Sequence, residues 1–180
     1  MGKLIIGLGN PGKKYELNRH NIGFLAVDYL IDAFNARKVS SKFKGELYKA
    51  GDFLFLKPET FMNLSGESAV LVKNYYKIDN KDIIVIHDDI DLKPGALRFK
   101  RGGSHGGHNG LKSLDQHISP DYYRVRVGVG RPERKEDVVN YVLSDFTPDE
   151  LECMKSLFGK IKNAIEDIEN AQSKYSQKEC

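Results

Sequence analysis

Five side chains suited to acyl chemistry stand in five separate stretches of this chain. They are Asn10 in GLGNPG, His20 in NRHN, Asn63 in FMNLSG, Asp88 in HDD and Asn109 in GGHNG. A histidine titrating near neutrality can take a proton from water at physiological pH. A carboxylate bonded to its second ring nitrogen fixes the tautomer and stabilises the imidazolium that forms. Asparagine amides offer donors to a developing oxyanion and acceptors to a substrate amide. Together these types describe hydrolysis of an activated carbonyl by base-assisted water, with no metal ion and no covalent intermediate required. Taken singly, all but His20 read better as ordinary structure. Asn10 and Asn109 suit turns and helix starts, and Asp88, Asp89 and Asp91 suit a solvated acidic turn.

Residues 101–110, RGGSHGGHNG, are half glycine and admit four chemistries: a phosphate cradle, a metal site, a nucleophile's turn or a flexible loop. GGSHG (102–106) has the G-x-S-x-G form of a nucleophile elbow, with His108 and His117 after it, but no acid stands between Ser104 and His108 and the chain is short for that fold. Ser104 is therefore the rival nucleophile rather than the first choice. His105 and His108 are three apart and lack a third ligand other than Asp115, so a metal reading is not favoured. GLGNPG (7–12) has the spacing of a dinucleotide fingerprint, yet Pro11 and KKYELNRHN delay the helix that should start there. A strand-ending turn is the better reading.

Elements that must position these residues can be read from periodicity. KLIIGLG (3–9) and IIVIHDD (83–89) are apolar runs ending in turns or acids, as buried strands do. ELYKA and DFLFLK flank Gly51 and Asp52 as a hairpin. Helical spacing runs through Phe24, Val27, Ile31 and Phe34. It returns through Ala69, Val72 and Tyr76, with Ser65 the expected cap. GALRFKR reads as a strand, GLKSLDQHI as a short helix and residues 136–143 as another. YYRVRVGVG (122–130) alternates strictly, with Arg124 and Arg126 on its polar face. Thr147-Pro148-Asp149-Glu150 is a capping box opening a helix over about 148–170, with a polar, frayed tail at 171–180. Strands alternating with helices predict one α/β domain of three layers, α/β/α, around a mixed and largely parallel sheet. Sites in such sheets gather at the C-terminal strand ends.

The chain has 180 residues, 28 basic and 25 acidic, for a net charge of +3. That is one domain's length and only a mild lean toward anionic partners. Two cysteines, Cys153 and Cys180, give no disulfide framework and no zinc spacing, which predicts a reducing, cytoplasmic setting. No signal peptide or membrane-spanning run is expected. The basic residues Arg98, Lys100, Arg101, Arg124 and Arg126 cluster on two predicted strands beside the glycine-rich turn. A solvated strand face is the default reading, and phosphate binding the alternative.

Four long stretches carry a resemblance: GLGNPGKKYELNRHNIGF (7–24), KPETFMNLSG (57–66), HDDIDLKPGALRFKRGGSHGGHNGLKSL (87–114) and YRVRVGVGRP (123–132). In these motifs, and in their order, the chain resembles the bacterial-type peptidyl-tRNA hydrolases. The resemblance implies cleavage of the ester between a peptide and the terminal ribose of tRNA, with no cofactor. It implies that His20 is the general base, that Asp88 holds and polarises it, and that Asn10 helps tell a blocked amino group from a free one. Tyr15, Phe61, Asn63 and Asn109 would line the cleft for the peptide and the tRNA acceptor end, with Met62 and His108 beside it. Arg98, Lys100 and Arg126 would meet phosphates. Neutral asparagines suit this selection, because a desolvated ammonium without a partner carboxylate is costly. The implied partner is peptidyl-tRNA, with no membrane and no obligate protein partner, and a monomer is expected.

Overall fold

The computed structural model describes residues 2–180. Its centre is a seven-stranded sheet in the order β2-β3-β4-β1-β5-β7-β6. The strands are β1 (Lys3–Gly7), β2 (Arg37–Ser40), β3 (Gly45–Ala50), β4 (Phe53–Pro58), β5 (Ile83–Asp89), β6 (Leu97–Arg101) and β7 (Tyr123–Gly128). The middle four, β4, β1, β5 and β7, run parallel. Antiparallel pairing closes both edges, through β2 and β3 at one and β6 at the other. The exposed strand β2, RKVS, carries no alternation from which it could be foreseen.

Helices cover both faces, giving the expected three layers. On one face α1 (Ile22–Ala33) and α5 (Pro148–Ile165) enclose Ile5, Phe55, Ile84, Val125 and Val127. On the other, α2 (Ser65–Tyr76) and α3 (Asn109–Ile118) enclose Leu4, Ile6, Leu56, Ile83 and Val85. β1 and β5 bury side chains on both faces, which is why they read as unbroken apolar runs. α5 begins at the expected capping box, where the Thr147 hydroxyl accepts from Glu150 N–H and the Glu150 carboxylate accepts from Thr147 N–H. A short helix α4 (Val138–Val142) precedes it.

Three expectations are corrected. Ser65 does not cap α2: it is the first helical residue, and its hydroxyl donates to Met62 O at 2.8 Å. α5 stops at Ile165, short of 170. The segment beyond 170 is not a frayed tail. Ala171–Tyr175 form helix α6, and Gln177 then pairs with Leu97 in both directions across the open edge of β6. The unpaired edge of β6 offers backbone donors and acceptors, and a polar segment can satisfy them as well as a strand. Cys180 is thereby brought to Cys153 on α5, with Cα atoms 5.9 Å apart and the sulfurs joined. This contact joins residues 27 apart and leaves no signal in the cysteine spacing. No described helix is long and apolar enough to cross a membrane.

Candidate active site

A cleft of about 490 Å³ opens over the C-terminal ends of β1, β5 and β7. Asp88, near the end of β5, lies at its floor with a side chain only 2% exposed. Both of its oxygens are occupied. Oδ2 accepts from His20 Nδ1 at 2.7 Å, and Oδ1 accepts from His108 Nε2 at 2.8 Å.

The ring protons follow from what surrounds them. His108 is the N-cap of α3, and its Nδ1 accepts from the backbone N–H groups of Gly110 (3.1 Å) and Leu111 (3.3 Å). Nδ1 therefore carries a lone pair, and the proton of the neutral ring is on Nε2, facing Asp88. His20 meets the other oxygen with Nδ1–H, which leaves its Nε2 lone pair free toward the cleft. Burial works to lower the His20 pKa, but the Asp88 charge and hydrogen bond outweigh it and the net shift is upward from 6.5. For Asp88, burial works to raise the pKa, and the two histidines hold it well below the usual carboxylate range instead. Neighbouring His87 is driven to about 4 by burial first and by His108 second, so it stays neutral. Its Nδ1 donates to Asp88 O at 2.8 Å.

His20, Asp88 and His108 are also the one group among the described residues with metal-binding spacing, their ligand atoms lying within 4.8 Å of one another. Metal binding here would have to displace the ring protons that Asp88 accepts. The 2.7–2.8 Å separations are hydrogen-bond distances. As it stands, the carboxylate joins the two rings by hydrogen bonds.

His20 is held by its own motif. It sits in a 3-10 turn, Arg19–Asn21, that leads into α1. Arg19 is buried, reaching Ser144 Oγ at 2.6 Å and Glu150 Oε1 at 2.8 Å, and it stacks 4.2 Å over the Tyr141 ring. Asn18 Nδ2 donates to Asp145 at 2.7 Å. Asn21 clasps Asn10 from both ends, its Oδ1 accepting from Asn10 N–H and its Nδ2 donating to Asn10 O, each at 2.9 Å. Asn10 Oδ1 then accepts from Met62 N–H at 2.7 Å. With its oxygen committed, Asn10 offers the cleft only its Nδ2 hydrogens.

Met62 is fixed in this way beside Phe61, which holds a positive φ of 66° that a side chain rarely adopts. Such a conformation costs about 1–3 kcal/mol and persists only where its surroundings impose it. Here it leaves the Phe61 ring half exposed at the cleft, edge-on to Tyr15 at 6.2 Å.

The glycine-rich stretch resolves as a braced loop. Gly102, Gly103, Gly106 and Gly107 all take positive φ, which explains their number. Arg124, expected on a polar face, is 1% exposed and donates to the carbonyls of Ser104 (2.9 Å) and Gly103 (3.0 Å). Arg124→Met should therefore destabilise the protein by about 1–3 kcal/mol in urea unfolding, since it removes the charged donor that braces the Gly103 and Ser104 carbonyls. An unchanged midpoint would show that the loop is held some other way. Ser104 Oγ accepts from Gly106 N–H at 3.1 Å and serves the loop's own turn.

A family model described as peptidyl-tRNA hydrolase matches residues 4–180. The chain belongs to the peptidyl-tRNA hydrolase family. It is 55% identical to a peptidyl-tRNA hydrolase of Sulfurovum sp. (strain NBC37-1), covering 97% of this chain and 96% of that one. It is 53% identical to that of Sulfurimonas denitrificans, covering 97% of each. A crystal structure of peptidyl-tRNA hydrolase from Acinetobacter baumannii superposes with a TM-score of 0.93 at 34% identity, over 99% of this chain and 96% of that one.

Of the residues expected in the hydrolase site, Asn10, His20, Phe61, Met62, Asn63, Asp88, Lys100, His108, Asn109 and Arg126 all line the cleft. Tyr15 stands outside it, touching through Phe61. Arg98 is also outside it: it shares the face of Lys100 on β6, but its guanidinium turns to the carbonyls of Leu97 and Gln177 and does not line the cleft. The C-terminal segment that holds it was expected to be frayed, so this partner was invisible in the sequence. Arg126 donates to Asp89 at 2.9 Å. Burial, then Arg126 and Arg124, lower the pKa of Lys100, as a crowded cationic patch would. Periodicity also gave no hint that Val138, Val139, Val142 and Leu143 of the α4 region would wall the cleft. Val139 is 66% exposed there, an apolar surface on the substrate's side.

Proposed function

We propose that this protein hydrolyses the ester between peptide and tRNA in peptidyl-tRNA, with His20 as general base on water. The observation that carries this reading is Asp88, whose two bonds leave His20 Nε2 as a free lone pair over the cleft. Water deprotonated at that nitrogen attacks the ester carbonyl, and the imidazolium formed is stabilised by Asp88. Asn10 Nδ2 is a donor for a substrate carbonyl, and Asn63 and Asn109 add amides on the cleft wall. Lys100 and Arg126 meet backbone phosphate. Cationic side chains flanking the cleft support tRNA as the partner. Packing of α5 and α6 on their own sheet supports a monomer. The tRNA substrate supports action in the cytoplasm, and the proton-bearing donor set supports a reaction without a resident metal.

The deciding experiment is release of N-acetyl-amino acid from N-acetyl-aminoacyl-tRNA by the purified protein, beside unblocked aminoacyl-tRNA and with a chelator present. Rapid cleavage of the blocked ester alone is expected, and cleavage of neither would overturn the reading. Asn10→Asp refines the result. Aspartate keeps an oxygen for Met62 N–H but replaces the free donor with a carboxylate, which welcomes an ammonium. The preference for blocked over unblocked substrate should fall roughly tenfold or more, as measured by the ratio of kcat/KM values.

A further inference from the structure

His108 was expected only beside the substrate, yet its bonding places it in the chain of groups that governs the base. It does two things at once, capping α3 through Nδ1 and donating to Asp88 Oδ1 through Nε2, with a side chain 10% exposed. An imidazole in contact with both a helix start and a carboxylate has a single neutral tautomer that satisfies both. The helix N–H groups require the lone pair, and the carboxylate requires the proton. We propose that His108 is a positioning residue for hydrolysis, its tautomer locked by the first turn of α3, so that its Nε2–H holds the Asp88 carboxylate turned toward His20. This rests on the hydrolase reading above.

Two consequences follow from the geometry. Asp88 cannot rotate to serve another donor, because each oxygen is tied to a different element: the Arg19–Asn21 turn on one side and α3 on the other. A donor on Oδ1 also draws charge away from Oδ2, which weakens the hold of Asp88 on a protonated His20. The locked histidine thus helps His20 give up its proton. Other charged or titratable groups around this trio are His87 and Asp89 on β5, Lys100 on β6, Arg124 and Arg126 on β7, and Asp91 and His105 in the loops, all lining the same cleft. Arg126 is paired with Asp89, His87 is neutral, and Arg19 faces away to Glu150. None of them bonds to an Asp88 side-chain oxygen, which leaves His108 as the group able to set the carboxylate's orientation from that side. α3 also starts at Asn109, which faces the cleft, so the loop that meets substrate and the carboxylate that orients the base share one residue.

The test separates the two roles of His108. Asparagine is among the best helix caps, but it is too short to cap α3 and also reach Asp88. His108→Asn should therefore melt near the wild type while losing the bond to Asp88. Its kcat/KM at neutral pH should drop roughly 10- to 100-fold, the scale of one hydrogen bond to a charged group. The acid limb of its pH profile should move to higher pH, since an unshared carboxylate holds the His20 proton more firmly. Nitrogen NMR of the imidazoles gives readings independent of turnover. In the wild type His108 should show a bare Nδ1 and a protonated Nε2, and the His20 titration should move upward in the variant. A protonated Nδ1 on wild-type His108 would overturn the proposal, and that reading stands even if the variant does not fold. A uniform loss of rate with an unmoved acid limb and unmoved His20 titration would also overturn it, leaving His108 a substrate contact. Absence of turnover in the wild type would instead remove the hydrolase reading, while the titration still decides for or against His108.

Discussion

His20→Ala is expected to lower kcat for N-acetyl-aminoacyl-tRNA by about 10²–10⁴-fold, the range of a lost general base, while tRNA binding stays largely intact. Among the described residues of the cleft, the His20 imidazole is the group that combines a free lone pair with a carboxylate able to hold the resulting cation. Its ring stands 4.9 Å from that of His108, but the His108 lone pair is committed to α3 and cannot substitute. The cations proposed to meet phosphate, Lys100 and Arg126, are other side chains of the cleft, so affinity for tRNA should survive the change. Single-turnover rates and filter binding on the same variant check both halves. Near-wild-type turnover would remove His20 from the mechanism. The wild-type profile carries its own expectation. The raised His20 pKa places the acid limb of kcat/KM above pH 6.5, with activity rising through it as the ring loses its proton.

Asp88→Asn should be nearly as damaging, about 10³–10⁴-fold in kcat, through protons rather than shape. The carboxylate accepts two N–H groups, whereas an amide of the same size accepts on one side and donates on the other. One histidine must then turn a lone pair toward residue 88. His108 is held by the N–H groups of Gly110 and Leu111, so the ring that gives way is His20. With Nδ1 bare, His20 carries its proton on Nε2, and the base is lost from the nitrogen that faces the cleft. The sign of the pH effect follows too. Loss of the anion removes what raises the His20 pKa, so the acid limb of any residual activity should move down. A pH-rate profile measures this directly, and an unaltered rate and limb would show that the pairing has no part in catalysis. Set beside His108→Asn, which should move the limb up, the two variants bracket the carboxylate from opposite sides.

What the sequence by itself determined is local or periodic. Unbroken apolar runs announced β1 and β5, because strands buried on both faces have no polar side to alternate. The Thr147–Glu150 capping box announced α5, because its partners are three residues apart and need no distant element. The motifs around Asn10, His20, Asp88 and Asn109 pointed to one site, and the resemblance assigned them roles.

Only the tertiary structure decided which of several permitted states each group takes. Arg124 and Arg126 alternate identically along β7, yet one is buried under loop carbonyls and the other stays partly exposed beside Asp89. Arg98 shares a face with Lys100, and a segment 79 residues away claims it. Cys153 and Cys180 carry no spacing signal and meet only because Gln177 docks on the β6 edge. The free nitrogen of His20 is the clearest case. It depends on Asp88, whose second bond depends on His108, whose tautomer depends on the two N–H groups that open α3. Protons and orientations are set by three-dimensional neighbours, and a chain position names the group without naming its partner.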